Sequence, residues 1–274
     1  MQELDKKKHI GQIKALYSQC FNEGADYEDF YFKKVFSDLG CFGIFDGEKL
    51  VSMAFISDKT LVFDNIKISC PLILAVCVDK EYRRKGLAFT LIEKIKNALK
   101  NQGFFCTYLS PVNPNIYKSN GFIPFCFEEN FTVKYGGGDI ALKEASKKDI
   151  PLLLGFYQKF CSTKNAYALR TERYYEILLE SAVLVKPIQL LCKGADCLGY
   201  IYFDGFYWDI CADTNCLCQI KTLDGVKISI PSKSKVSKVS QMICILDEEK
   251  LKKVCPHIEY SLKKSDNFNF DKYQ

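Results

Sequence analysis

Three cations and a glycine stand side by side at Arg83-Arg84-Lys85-Gly86, and Leu87-Ala88 open a helical pattern directly behind them. Just upstream, Leu72–Val78 is an uninterrupted apolar run, short and β-branched enough to be a buried strand. A strand that feeds a glycine-bearing turn at a helix N-terminus makes an anion cradle. The first N–H groups of the helix have no partners inside it, and the helix dipole turns its positive end to the ligand. With three cations adjacent, the anion expected is phosphate. A P-loop is excluded, because no Gly-Lys-Ser/Thr stands here. A dinucleotide fold is excluded too, because it calls for three glycines and only Gly86 is present. A thiol, Cys77, lies on the strand, but no histidine or neighbouring cation in the sequence activates it, so covalent catalysis through it is not expected.

The elements that must position this turn follow from periodicity. Leu87, Leu91, Ile92, Ile95 and Leu99 recur at spacings of three and four, which predicts an amphipathic helix to about Lys100. Upstream, residues 8–21 and 27–39 carry helical spacing. Residues 41–45 and 50–56 read as strands joined by a hairpin at Asp46-Gly47, and 59–63 with Ile66–Ser69 as a second hairpin. Downstream, 104–110 is a further strand, broken by Pro111 and Pro114. A single helical turn then carries Tyr117 and ends at Gly121. Pattern alone gives a chain of α/β or α+β type.

The segment Val78-Asp79-Lys80-Glu81-Tyr82-Arg83-Arg84-Lys85-Gly86-Leu87-Ala88 resembles the signature of the GNAT acetyltransferase superfamily. That signature is a buried strand, then Val-x-Pro-x-Tyr-Arg-x-x-Gly-x-Gly/Ala, then an amphipathic helix. Lys80 replaces the usual proline, and Ala88 is the permitted variant of the last glycine. The resemblance implies that Arg83, Arg84, Lys85, Gly86, Leu87 and Ala88 hold the pyrophosphate of coenzyme A, with the N–H groups from Arg84 onward making the contacts. It implies that Ala75, Val76, Cys77 and Val78 pair with the pantetheine arm as an added strand would. The stretch from Tyr117 to Phe122 is similar to the superfamily's second landmark, Tyr-x-x-x-Gly-Phe. In that family the tyrosine commonly stands beside the coenzyme sulfur as general acid. The competing role for Tyr117 is that of a half-buried aromatic at a strand-to-turn junction.

Composition sets the outer bounds. The chain has 274 residues, enough for two domains, with 48% hydrophobic and 26% charged residues, ordinary for a soluble globular protein. Lys and Arg number 38 against 33 Asp and Glu, a net charge of +5 too mild to argue for nucleic acid. No apolar run reaches the length of a membrane span, and no signal peptide opens the sequence. The 14 cysteines fall at irregular spacings and are read as reduced thiols of a cytoplasmic protein. The densest group is Cys192, Cys197, Cys211, Cys216 and Cys218. It holds no Cys-x-x-Cys pair, and both histidines are distant in sequence, so no metal site is expected.

Gly136-Gly137-Gly138 is the natural break, giving domains 1–137 and 138–274. Behind it two helical stretches precede short strands, among them 216–220, which repeats the opening of the first half. The fold expected is therefore α/β with a mixed sheet: a GNAT domain with the coenzyme site, then a second, degenerate GNAT-like domain. The latter has no Arg-x-x-Gly-x-Gly/Ala turn. Tandem domains of this kind resemble the enhanced-intracellular-survival type of acetyltransferase, with Arg170, Tyr174-Tyr175 and 242–247 as loose matches. Those enzymes usually continue into a sterol-carrier-like domain, for which too few residues follow Asp247. The aromatic stretch 200–208 is expected either to line an acceptor pocket or to pack within a sheet. The lysines of 221–238 are expected on a solvated loop or a protected edge strand.

The resemblance implies an acyl-CoA-dependent N-acyltransferase that moves acetyl from acetyl-CoA to a primary amine, on a small molecule or a peptide, by direct displacement. N–H groups near Cys77 and Val78 would be the oxyanion donors. The base is open, with Asp79 and Glu81 close in sequence. Two other classes fit the sequence less well. A coenzyme-A-binding regulator without turnover is disfavoured by the retained Tyr117. An aminoacyl-tRNA-dependent transferase is disfavoured by the intact phosphate turn.

Overall fold

The computed structural model describes residues 2–182, 184, 187–203, 208–232, 237–258 and 262. The described residues form two compact units: 2–126 with 239–258, and 127–238.

The first unit runs β1 (Gln2–Glu3), α1 (Lys6–Phe21), α2 (Ala25–Lys34), β2 (Gly40–Asp46), β3 (Lys49–Ser57), β4 (Thr60–Phe63), β5 (Ile66–Ser69), β6 (Leu72–Val78), α3 (Leu87–Asn101), β7 (Cys106–Leu109) and α4 (Asn115–Lys118). It then enters β8 (Ile123–Thr132). Its sheet is mixed, in the order β1-β2-β3-β6-β7, with the later strand β15 (Lys238–Ile245) and then β8 beyond β7. The hairpin expected at Asp46-Gly47 forms with Asp46 opposite Lys49, and Gly47 takes φ +59°. The second predicted helix is shorter than its pattern: α2 stops at Lys34, and Phe36–Asp38 form a 3-10 turn.

The sheet is covered on both faces, and β3 shows why. Its alternate residues Ala54 and Ile56 join the core that α3 builds with Leu91, Ile92, Ile95 and Leu99. Phe55, between them, faces the other way, its ring 6.1 Å from Tyr17 of α1 and 4.9 Å from Phe36. A strand buried on both faces reads as a continuous apolar run, as this one does. Each fully buried Leu or Ile of α3 contributes roughly 1.5–3 kcal/mol, so the helix carrying the basic turn is held chiefly by this stripe.

The second unit contains β9 (Ala141–Glu144), α5 (Ile150–Cys161), β10 (Ala166–Ala168), α6 (Glu172–Ser181), β11 (Gln189–Lys193), β12 (Asp196–Phe203), β13 (Trp208–Cys211), α7 (Thr214–Leu217) and β14 (Lys227–Pro231). Its sheet is antiparallel, ordered β13-β12-β11-β9, and β14 pairs with β8 from Glu128 to Thr132. Of the aromatic stretch 200–208, Tyr200 and Tyr202 are buried, and Arg170 donates to the Tyr200 hydroxyl at 2.8 Å with its guanidinium over the Tyr157 ring at 4.0 Å. Packing is thus their fate, while 204–207 lie outside the described residues, as do Lys233 and Lys235.

The structure differs from the sequence reading at three places. The predicted strand 216–220 begins as helix: Asp213 accepts from the backbone N–H of Asn215 at 2.8 Å and from that of Cys216 at 3.0 Å, an Asx-started turn that turns Leu217 and Ile220 into the core. Residues 242–247 do not belong to the second unit. Strand β15 returns to the first and lies antiparallel to β7, with Met242 opposite Leu109 and Cys244 opposite Thr107. The units divide at 126/127 and again at 238/239, whereas the sequence placed one break at 137/138. Behind β15 comes α8 (Glu248–Val254), capped by Asp247, whose side chain accepts from the Lys250 N–H.

Candidate active site

The central strand β6 is irregular where chemistry was expected. Against β3, Leu74 lies opposite Phe55 and Cys77 opposite Met53, so Ala75 and Val76 together face the single residue Ala54. This is a β-bulge, and Ala75 adopts φ +48°, a left-handed conformation that costs a non-glycine residue roughly 1–2 kcal/mol. Strain of that kind in mid-strand concentrates at functional sites. On the other side, β6 runs parallel to β7 only through Leu72↔Tyr108 and Ile73↔Leu109. Strand β7 ends at Leu109, and the following Ser110-Pro111 cannot extend the ladder because proline has no N–H. The edge of β6 from Leu74 onward is thereby left half-buried, with Cys77 turned into the interior.

The strand delivers the chain to a short 3-10 turn, Lys80–Tyr82, and then to the basic turn. Arg84 (φ +64°) and Gly86 (φ +76°) are both left-handed, which folds the backbone into the first turn of α3. That turn has neither a capping side chain nor an acidic residue, so its leading N–H groups are not answered by side chains. A Cβ built on Gly86 would meet nothing within 4 Å. The space in front of the turn is open, and these residues fit a pyrophosphate. The three cations are not equivalent. Arg83 Nε donates to the Val78 carbonyl at 3.2 Å, and Lys85 lies over the Tyr82 ring at 4.7 Å. Arg84 has no hydrogen bond or ion pair among the described residues, which leaves its guanidinium for a ligand.

Tyr117 sits on the one-turn helix α4, which Gly121 (φ +80°) terminates. Its half-buried ring packs against the α3 core, as Val76 of the bulged strand does, 6.2 Å from Phe122. Burial pushes its hydroxyl above the usual tyrosine range, and the nearby Cys77 thiol adds to the shift. The hydroxyl therefore stays protonated at neutral pH. The turn is fastened to α3 by Asn120, which is buried and donates to the Phe89 carbonyl at 3.2 Å and to the Glu93 carboxylate at 2.8 Å. Lys96 closes the cluster, donating to Glu93 at 2.8 Å and to the Asn120 carbonyl at 2.5 Å.

Neither sequence-adjacent carboxylate is placed as a ready base. Asp79 is buried and pairs with Lys49 at 3.0 Å; although burial opposes it, the Glu81 N–H and Lys49 hold its carboxyl below the usual range. Glu81 is exposed and shares the same lysine at 3.1 Å. Sequence reasoning missed Cys20, at the end of α1. Its Sγ lies 3.7 Å from the Val78 carbonyl and 3.9 Å from Arg83 Nη2. A hydrogen bond from the Cys77 thiol, working against burial and joined by Arg83, brings Cys20 down to about 6, while Cys77 is pushed up. The proton of this pair sits on the buried Cys77. Also missed were the Ala75 bulge and the Asn120 fastening; the left-handed Arg84 had no residue-type signal at all.

Among the described residues, no group of three or more His, Cys, Asp or Glu could hold a metal ion, and no helix is long and apolar enough to cross a membrane.

Residues 4–125 match the family model of the acetyltransferase (GNAT) domain. No curated protein matches the chain in sequence. Among solved structures, a conserved protein of unknown function from Enterococcus faecalis is similar with a TM-score of 0.71 at 15% identity, over 91% of this chain and 73% of that one. A GCN5-related N-acetyltransferase from Anabaena variabilis gives 0.66 at 18% identity, over 88% and 71%. Eis1 from Mycobacterium abscessus gives 0.64 at 13% identity, over 91% and 74%. At these identities the likeness is one of fold.

Proposed function

We propose that this chain, a transferase whose residues 4–125 form a GNAT acetyltransferase domain, moves an acetyl group from acetyl-CoA to a primary amine by direct displacement. The observation that carries the reading is the pairing of a bulged, half-uncovered strand edge at Ala75 and Val76 with an uncapped helix N-terminus at Gly86. The first suits an extended amide-bearing arm, the second a pyrophosphate.

When bound, acetyl-CoA supplies the activated acyl group. The N–H groups of Arg84, Lys85, Gly86, Leu87 and Ala88 hold its phosphates, with Arg84 as the available cation. The β6 edge from Ala75 to Val78 aligns the arm, and N–H groups near Cys77 and Val78 polarise the carbonyl oxygen. Tyr117, kept protonated by burial, gives its proton to the departing sulfur. An alkylamine has a pKa near 10 (roughly), so the acceptor must lose a proton to attack. Asp79 is committed to Lys49, and solvent therefore takes that proton.

The acceptor class is a small-molecule or peptide amine. The second unit we read as a degenerate GNAT-like copy, supported by its helices preceding an antiparallel sheet and by the lack of a phosphate turn in its sequence. Cytoplasmic placement rests on the irregular spacing of the fourteen cysteines, which we read as reduced thiols. The test is a panel of primary amines with acetyl-CoA and detection of released thiol. Release that depends on both amine and intact Tyr117 supports the reading, and acetyl-CoA binding without release to any amine speaks against it.

A further inference from the structure

We propose that Cys192 and Cys197 form a dithiol modification site in the second unit, whose co-substrates are low-molecular-weight disulfides such as oxidised glutathione. The two residues are direct partners across the β11–β12 hairpin, and their sulfurs are 3.3 Å apart. Lys193 and Asp196 close the two-residue turn at Gly194-Ala195, with Gly194 at φ +61°. The next rung of such a hairpin is of the non-hydrogen-bonded kind, where opposite Cα atoms lie about 4.5 Å apart and side chains come closest. The register shifts only beyond this rung, between Leu191 and Cys192; disulfides require Cα separations of about 4.4–6.8 Å, a range that a regular rung of this kind falls in and that sulfurs 3.3 Å apart agree with.

Access and surroundings agree with the geometry. Both thiols are half-buried, whereas most of the other cysteines are buried. Burial, and then the hydrogen bond to Cys197, push the Cys192 thiol up, with Lys143 of the neighbouring strand β9 opposing. The pair is thus a slow nucleophile held in a geometry that favours ring closure once one sulfur has reacted. Neither residue takes part in the acetyl-transfer site, which lies in the first unit.

The chemistry balances in two exchanges. One cysteine thiolate attacks a sulfur of the small disulfide; a mixed disulfide forms, the S–S bond of the reagent breaks, and the released thiolate takes up the proton. The second cysteine then attacks the first cysteine's sulfur. The Cys192–Cys197 bond forms and the second small thiol leaves with its proton. Two protein thiols are oxidised by two electrons, and one small disulfide is reduced to two thiols.

The test uses the full reduced chain, treated with oxidised glutathione, acid-quenched, alkylated and peptide-mapped without reduction. The half-buried Cys20, Cys216 and Cys218 serve as internal comparison thiols. The expected result is a peptide spanning both cysteines that carries no alkyl group and has lost two hydrogens. In Cys197→Ser the exchange should stop halfway, leaving glutathione on Cys192. Alkyl groups retained on both Cys192 and Cys197 after Cys216 and Cys218 have been converted overturn the proposal in the native chain, whatever the variant does. Joining of either cysteine to a different partner overturns it equally.

Discussion

The side-chain amide of Asn120 donates to the Glu93 carboxylate at 2.8 Å, and so ties the turn that carries Tyr117 to the helix that begins at the basic turn. Its second bond, to the Phe89 carbonyl, reaches the first turn of that helix. The two ends of the site therefore share one rigid element, with Lys96 bracing both partners.

Replacing that amide has a defined outcome. Asn120→Leu leaves Glu93 without its neutral donor and removes the side-chain donor to the Phe89 carbonyl, at a cost of roughly 1–3 kcal/mol. Chemical denaturation measures it. Turnover should fall by a larger factor than acetyl-CoA affinity, because the displaced turn holds Tyr117 and not the residues proposed to contact phosphate. An unchanged denaturation midpoint would show that the bonds contribute nothing net.

Tyr117→Phe removes the proton and keeps the ring. Turnover should fall by roughly two orders of magnitude, as loss of a general acid does, with acetyl-CoA affinity nearly intact. The wild-type hydroxyl, raised above the ordinary tyrosine range, keeps its proton through pH values where a free tyrosine would begin to lose it, so no alkaline fall in rate from this group is expected below about 10. Equal turnover in the variant would return Tyr117 to a packing role.

The cations of the basic turn should separate by experiment. Arg84→Ala should weaken acetyl-CoA binding about three- to tenfold at low salt and less at high salt, the size of an exposed charge contact. Lys85→Ala, which removes a group stacked on Tyr82, should matter less. Equal losses would mean that the turn acts through summed charge rather than through Arg84.

Much of the first unit was legible because its signals are local. Leu72–Val78 and the helix from Leu87 are set by apolar spacing over neighbouring residues, and both formed as read. The place of strand β15 was not legible, because an apolar strand does not announce its partner: 242–245 pair with 106–109, far upstream, and nothing in the pattern distinguishes that from pairing nearby. The bulge at Ala75 escaped for a related reason. Alanine gives no sign of a positive φ, which here comes from the two-against-one match with Ala54. Cys20 joined the site only through folding, since α1 brings it to Val78 across the sheet.

Cys20 offers a pH test. Its thiol falls from 9.0 to about 6, so the folded state favours the thiolate. A depressed value stabilises the fold above the unfolded value, and that contribution is lost as pH falls through about 6. Iodoacetamide labelling of Cys20, followed by peptide mapping, should reach half its maximal rate near pH 6. Arg83→Ala should move the half-point upward. A half-point at the ordinary thiol value in the native chain would refute the Cys77–Cys20–Arg83 arrangement.

The turn at Gly86 is expected to hold the phosphates of acetyl-CoA, and calorimetric titration of acetyl-CoA into the native chain and into Gly86→Glu measures this. The fold has room for the side chain, since nothing lies within 4 Å of a Cβ there, although φ +76° adds local strain. The carboxylate would stand where we propose that the pyrophosphate binds and would oppose it. The expected result is saturable binding to the native chain and at least a roughly tenfold loss in the variant, with a circular dichroism spectrum that matches the native one. Equal affinity in two folded proteins would contradict the phosphate assignment and the function built on it.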